Sequence, residues 1–190
     1  FLRNEIDSDV DDGDFADARM LKRTELIGLT SDTVLADSSR LTLKAGRTTD
    51  SVDSRSRLAS LIEGTQDQFS AALVRPVAPG VQTRLSYDRL SQDVMAQGYS
   101  PDAESRTTSS LGISLSGREG PHIVQLSLRR DRSNQYDEQT NGTFAYGYVL
   151  ASGTRLGGAY ATGFRAPGFN DLYLPGYGRA DLRPEESRNL

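Results

Sequence analysis

The sequence predicts an all-β protein, and its patterning favours an antiparallel transmembrane β-barrel. Apolar and polar residues alternate over several stretches of about ten residues, the length that a tilted strand needs to cross a bilayer. The connections between these stretches alternate between short turns and long polar segments. A barrel that spans an outer membrane has this arrangement, with short turns on one side and long loops on the other.

About eight strands follow from the alternation. Leu111, Ile113 and Leu115, for example, alternate with glycine or serine, so one face of that strand is apolar and the other is polar. Phe144, Tyr146 and their successors repeat the pattern with aromatic residues. The predicted strands are 21–31, 39–48, 66–76, 80–91, 107–117, 121–131, 142–150 and 154–165.

The predicted connections fall into two classes. Turn-forming residues mark four short ones, namely Ala36-Asp37-Ser38, Ala78-Pro79-Gly80, Arg118-Glu119-Gly120 and Ala151-Ser152-Gly153. The remaining connections are expected to be long polar segments, at 1–20, 49–65, 92–106, 132–141 and 166–190.

Composition excludes several classes of function. A net charge of -4 with scattered Lys and Arg argues against a nucleic-acid partner, which requires a concentrated basic surface. The chain has no cysteine, so disulfides and thiolate metal sites are excluded. His122 is the single histidine, and one histidine supports neither a zinc site nor a Ser-His-Asp triad. We therefore expect no enzyme activity.

A soluble antiparallel β-sandwich is the main alternative, because its strands also alternate and are separated by turns. The small residues Gly147, Gly157 and Gly158 leave little side-chain volume for a sandwich core. A helical membrane protein is not an alternative, since no apolar run approaches the roughly 20 residues that a membrane helix needs. A closed eight-stranded barrel is less favoured because residues 166–190 lead onward to another strand.

The C-terminal third of the chain carries the most specific motifs. Phe164-Arg165-Ala166-Pro167 ends a predicted strand, Phe169-Asn170-Asp171-Leu172-Tyr173 follows, and Leu182-Arg183-Pro184-Glu185-Glu186-Ser187 precedes the next strand. Proline cannot donate to a strand ladder, so Pro167 and Pro184 suit the end and the re-entry of strands. This succession resembles the TonB-dependent outer-membrane receptors.

Within that family the chain is most similar to the cobalamin (vitamin B12) receptor branch. Pro175-Gly176-Tyr177-Gly178 and the stretch 126–148 carry this likeness, which is close over residues 121–190. Arg179-Ala180 departs from it, since the branch commonly has Asn-Pro there.

The resemblance implies that residues 1–190 are the middle part of a barrel of about 22 strands in the bacterial outer membrane. It implies that the plug domain and both chain ends of the parent protein lie outside this sequence. The expected partners are cobalamin or another metal chelate as cargo, outer-membrane lipid, and the TonB complex through the missing parts. A siderophore (iron chelate) receptor on the same barrel is the alternative. The ligand-binding candidates are Phe169, Asn170, Tyr173 and Tyr177.

An acidic segment near the N-terminus suggests calcium. It runs from Asp7 to Asp17 and contains six aspartates, whose carboxylates are the hard oxygen ligands that calcium prefers. The EF-hand pattern is not met, because Asp12 stands where that loop needs glycine. The cobalamin-receptor branch binds calcium through aspartates on outside loops, and the resemblance therefore implies Asp9, Asp11 and Asp12 as calcium ligands.

Overall fold

The structure is a computed structural model that describes residues 1–9, 18–55, 60–96 and 103–190. Its described strands form one antiparallel sheet in which each strand pairs with its neighbours in sequence. One short helix, α1, lies between the last two strands. The elements are β1 Leu2–Asp9, β2 Arg19–Val34, β3 Arg40–Arg55, β4 Ser60–Ala78, β5 Val81–Ala96, β6 Ala103–Glu119, β7 His122–Ser133, β8 Gln139–Val149, β9 Arg155–Arg165, α1 Phe169–Tyr173 and β10 Glu185–Asn189.

The four predicted short turns are confirmed, and they lie together at one edge of the sheet because they join consecutive antiparallel strands. We call this edge the turn end and the opposite edge the loop end. Ser38, Gly80, Gly120 and Gly153 each have positive φ at these turns. In the first turn the Ser39 backbone N–H donates to Asp37 Oδ1 at 3.0 Å. That bond holds the pKa of the Asp37 carboxyl below its usual value, so the contact is lost as the pH falls through the lowered pKa.

Gly80 is the turn residue least able to accept a side chain. Its φ is +74°, and a Cβ would lie 2.7 Å from the Arg118 carbonyl oxygen, whereas Gly120 has φ +55° and no neighbour within 4 Å of its Cβ position. We expect Gly120→Ala to lower the free energy of unfolding by about 1 kcal/mol, through backbone strain alone. Gly80→Ala should lower it by roughly 1–2 kcal/mol more, because the new Cβ also meets the Arg118 carbonyl. Guanidinium unfolding of the full-length receptor from lipid vesicles measures both. Equal losses of unfolding free energy in the two variants would show that the Arg118 carbonyl does not restrict the side chain at position 80.

The strands are longer and more numerous than the alternation predicts. The described parts of the chain contain ten strands rather than about eight, and β3, β4, β5 and β6 have 16, 19, 16 and 17 residues. Most of the predicted loops 49–65 and 92–106 is therefore strand, and the predicted polar segments at the two ends contain β1, α1 and β10. Beyond the lipid both faces of a strand meet water. The hydrogen bonds between strands continue there, but apolar and polar residues no longer alternate along the chain.

The register places the apolar residues of neighbouring strands side by side. Leu85 pairs with Ile113, and Ile113 pairs with Leu128. Leu126 pairs with Phe144, which pairs with Tyr160. We call the side of the sheet that carries these residues the apolar face. The opposite side is the polar face, and it carries Ser70, Asp88, Ser110 and Asp131.

The apolar face is not covered by other parts of the described chain. Ile113 and Leu128 are 56% and 53% exposed, and the buried apolar residues in the described ranges are Ala18, Ala72, Ala96 and Leu172. A soluble β-sandwich would bury such a face under a second sheet, but the described strands form a single sheet. The sandwich alternative is therefore wrong, and an apolar face of this kind suits contact with lipid.

The closed eight-stranded alternative is also wrong. Within the described strands β1 pairs with β2 and β10 pairs with β9, and β1 does not pair with β10. The sheet is an open section of a barrel wall. None of the helices in the described ranges is long and apolar enough to cross a membrane.

Candidate functional site

A charged network crosses four strands on the polar face. Asp88 accepts hydrogen bonds from Ser70 Oγ at 2.6 Å and from Arg129 Nη1 at 3.0 Å. Arg129 Nε also donates to Asp131 Oδ1 at 2.9 Å, and Ser110 Oγ donates to the same oxygen. The strand register brings these groups together, since Ser110 lies opposite both Asp88 and Asp131. The network ties β4, β5, β6 and β7 to one another.

Asp131 is the most enclosed member of this network. Asp131 is 3% exposed. Its second carboxylate oxygen, Oδ2, is buried and has no hydrogen-bond partner among the described residues. A buried carboxylate oxygen without a donor is costly. Two carboxylates share one guanidinium here, so the network as a whole is negative.

A second cluster lies nearer the loop end and is centred on Arg106 of β6. Arg106 Nη1 donates to the Pro167 carbonyl oxygen at 2.7 Å and to Gln135 Oε1 at 3.2 Å, and Nε donates to Gln92 Oε1 at 3.2 Å. The guanidinium carbon lies 4.8 Å from the centre of the Phe169 ring, a cation–π contact. Arg106 thus joins β5, the β7–β8 connection and the segment after β9.

The segment 166–184, between β9 and β10, folds over the polar face through these contacts. β9 ends at Arg165, two residues before Pro167, and the Gly168 N–H donates to Asp171 Oδ2 at 2.8 Å at the start of α1. Leu172 is 6% exposed and anchors the helix. Arg179 donates to both carboxylate oxygens of Asp181, at 3.3 and 3.1 Å, and holds the pKa of that carboxyl below its usual value.

An open cleft of about 630 Å³ lies between the two clusters. Its surface is more apolar than polar and includes Leu90, Phe164 and Ala166, with amide, hydroxyl and charged groups set among them. Such a surface suits a large ligand that carries both apolar and polar groups. The polar and charged residues of its lining include Gln92, Arg106, Thr108, Arg129, Asp131 and Tyr136.

The four ligand-binding candidates from the sequence lie on the 166–184 segment, and two of them join the Arg106 cluster. Phe169 contacts the Arg106 guanidinium, and its ring centre is 6.4 Å from that of Tyr173. The Tyr173 hydroxyl accepts a hydrogen bond from Gln135 Nε2 at 2.8 Å. Asn170 lies on the exposed side of α1, and Tyr177 is 85% exposed at the tip of the segment.

The sequence analysis missed Arg106, Gln92 and Gln135. Arg106 and Gln92 fall within the predicted loop 92–106, where no face could be assigned to a side chain. Extending the two-residue period of β6 backward from Ser110 through Thr108 would have placed Arg106 on the polar face. No pattern in the sequence predicts that Gln135 lies beside Arg106.

The predicted calcium ligands are only partly within the described chain. Asp9 ends β1, and its carboxylate lies 3.6 Å from Arg19 Nε with the side chain 91% exposed. Asp11 and Asp12 lie outside the described residues. Within the described ranges no group of three or more acidic or histidine side chains is placed to hold a metal ion. The calcium site remains a prediction.

His122 has a structural environment near the turn end. Its Nδ1 is 2.8 Å from the Tyr146 hydroxyl, and its ring packs edge-on against Tyr148. These side chains lie on the apolar face, since His122 pairs with Tyr148 and Tyr146 pairs with Val124. Rings with a polar tip at this position are typical of the aromatic girdle at a membrane interface.

Comparisons with known proteins agree with this geometry. A family model described as "TonB dependent receptor-like, beta-barrel" matches residues 5–190. The vitamin B12 transporter BtuB of Photobacterium profundum is 40% identical over 63 residues, which cover 33% of this chain and 10% of that protein. A vitamin B12 transporter BtuB of Vibrio vulnificus is 29% identical over 103 residues, covering 53% of this chain and 16% of that protein.

The crystal structure of the siderophore receptor PirA from Pseudomonas aeruginosa has the same fold. It superimposes with a TM-score of 0.76 over 90% of this chain and 34% of its own, at 16% sequence identity. The aligned stretches cover about a sixth or less of the two curated relatives. Because the family model matches nearly the whole sequence, the chain belongs to the TonB-dependent receptor β-barrel family of the bacterial outer membrane, a family of receptors and not of enzymes.

Proposed function

We propose that this chain is part of the barrel wall of a TonB-dependent active transporter that takes up cobalamin or a related corrinoid across the outer membrane. The observation that carries the proposal is the similarity to two proteins named vitamin B12 transporters, at 40% and 29% identity. The cleft on the polar face supports it, because a corrinoid is a large ring with many amide groups, and Gln92, Thr108 and Tyr136 in the lining offer matching donors and acceptors.

In this proposal the wall supplies the binding surface and not the energy. The polar face is turned toward the barrel interior, and the 166–184 segment covers its loop end, where cargo from outside arrives. An iron chelate is the alternative cargo for the same barrel, and the choice depends on the groups in the cleft.

The direct test is cyanocobalamin binding to the full-length receptor in detergent, measured by equilibrium dialysis. We expect saturable binding that an excess of unlabelled corrinoid abolishes. If the purified, folded receptor does not bind cyanocobalamin, the corrinoid proposal is wrong, and ferric siderophores become the cargo to test.

We also propose that calcium binds the acidic segment and assists cargo binding. Chelation should then weaken cyanocobalamin binding, and changing Asp9 and Asp11 to Asn should weaken calcium binding by about tenfold or more, because both substitutions remove a charged oxygen ligand. Isothermal titration of the receptor with calcium measures this. The matched control is Asp32→Asn on the polar face, where the Thr42 hydroxyl donates to the carboxylate at 2.5 Å. Unchanged calcium affinity in the double variant would remove Asp9 and Asp11 from any site.

A further inference from the structure

Arg106 carries a charge that no carboxylate in the described ranges neutralises. The residue is 9% exposed, and among the described residues its partners are two glutamine side chains, a backbone carbonyl and an aromatic ring. Arg129, the half-buried arginine of the neighbouring network, is different, since it contacts both Asp88 and Asp131. Removing a guanidinium from water without an anion is costly. A negative group placed beside Arg106 would therefore be stabilising.

The guanidinium also has donors to spare. Arginine has five N–H groups, and the bonds to Gln92, Gln135 and Pro167 use the single hydrogen on Nε and both hydrogens on Nη1. Nothing in the described part of the chain accepts the two hydrogens on Nη2. The three bonds that are made fix the plane of the guanidinium. A fixed guanidinium with free donors is well suited to bind the oxygens of a phosphate.

The rest of the cleft directs an anion to this end. Thr108, two residues from Arg106 on the same face, lies 3.3 Å from the Tyr136 hydroxyl, so two neutral hydroxyl groups stand beside the guanidinium. The other end holds Asp88, Arg129 and Asp131, which together are negative. Ser110 lies four residues from Arg106, about 13 Å along the strand. The cleft thus has a positive end near the loops and a negative end deeper in the wall.

We propose that Arg106 binds the phosphate of a phosphate-bearing ligand in this cleft. The inference rests on the proposed function, in which the ligand is a corrinoid, and it specifies the part of the molecule that lies at the loop end. Cobalamin carries a phosphodiester between its ring side arm and its nucleotide. The amide groups of the ring would then face the hydroxyl and amide groups of the cleft.

Three corrinoids separate this role from a structural one. Cyanocobalamin has the phosphodiester, cobinamide phosphate keeps a phosphate without the ribose and base, and cobinamide has neither. In the full-length receptor we expect Arg106→Gln to weaken binding of the two phosphate-bearing compounds by roughly 10- to 100-fold. Binding of cobinamide should change by less than about threefold, since the ring contacts remain. Arg106→Lys, which keeps the charge, should show a smaller loss with the same selectivity.

The control is Tyr173→Phe. It removes the hydrogen bond from Gln135 Nε2 and loosens the 166–184 segment, while the groups that accept hydrogen bonds from Arg106 all remain, so it should affect all three corrinoids equally. An equal loss for all three in both Arg106 variants would show that Arg106 only holds the segment, and would overturn the phosphate site while leaving the corrinoid function intact. Failure of the wild-type receptor to bind any of the three would overturn the proposed function and the phosphate site together.

Discussion

Replacing Arg129 with methionine is expected to destabilise the full-length receptor by about 3 kcal/mol. The change leaves Asp131, 3% exposed, with Ser110 as its remaining described partner and removes a donor from Asp88. Breaking a buried pair by removing one partner is costly because the other charge stays buried and uncompensated. Guanidinium unfolding of the receptor from lipid vesicles, followed by the shift in gel mobility between folded and unfolded barrel, measures the change.

Two further variants make the Arg129 result specific. Adding Asp131→Asn to Arg129→Met removes the stranded charge, so the double variant should recover most of the lost stability. Arg84→Met removes an exposed arginine from the same face that forms no ion pair among the described residues, and it should stay within about 0.5 kcal/mol of wild type. If Arg129→Met lowers the free energy of unfolding by no more than Arg84→Met does, the network does not hold the four strands together.

An arginine on the apolar face should be almost as damaging. Leu126 is 40% exposed and pairs with Leu115 and Phe144, so both of its cross-strand partners are apolar. Near the middle of the bilayer, Leu126→Arg should cost roughly 2–4 kcal/mol, because a charged group must leave water for hydrocarbon. The same unfolding measurement applies.

The neighbouring residue provides the matched control. Gln125 points to the polar face and pairs with Ser116 and Ala145, so no charged side chain lies directly opposite it. Gln125→Arg adds the same side chain one position away, and we expect a change of about 0.5 kcal/mol or less. Similar costs for the two variants would mean that the two faces do not meet different solvents.

Local pattern was sufficient to predict the sheet but not its full extent. The run from Leu111 to Ser116 alternates cleanly because one face meets lipid, and turn residues such as Pro79-Gly80 end the strands where the structure ends them. The outer halves of β3 and β4 carry polar residues on both faces, with Asp50 on the polar face and Glu63 on the side that is apolar further down the strands. There the backbone ladder continues without a periodic signal, so sequence reasoning assigned loops.

The site was predictable only where a motif marked it. Phe169 and Tyr173 stand in a motif typical of the family, and the structure brings both to the Arg106 cluster. Arg106 is 61 residues from Pro167, whose carbonyl it binds. Contacts over such a separation depend on the register of the intervening strands and on the path of the 166–184 segment, which no local pattern encodes.

This chain forms a wall between lipid and a polar interior, and single cysteines in β6 test that role most directly. Residues 1–190 contain no cysteine, so one can be placed at Ile113 or Leu115 on the apolar face and at Ser114 or Ser116 on the polar face, then labelled with a fluorophore in outer-membrane vesicles. We predict that a lipid-soluble quencher reduces the fluorescence at Ile113 and Leu115 and leaves Ser114 and Ser116 unaffected. Equal quenching at all four positions, or at none, would contradict the account.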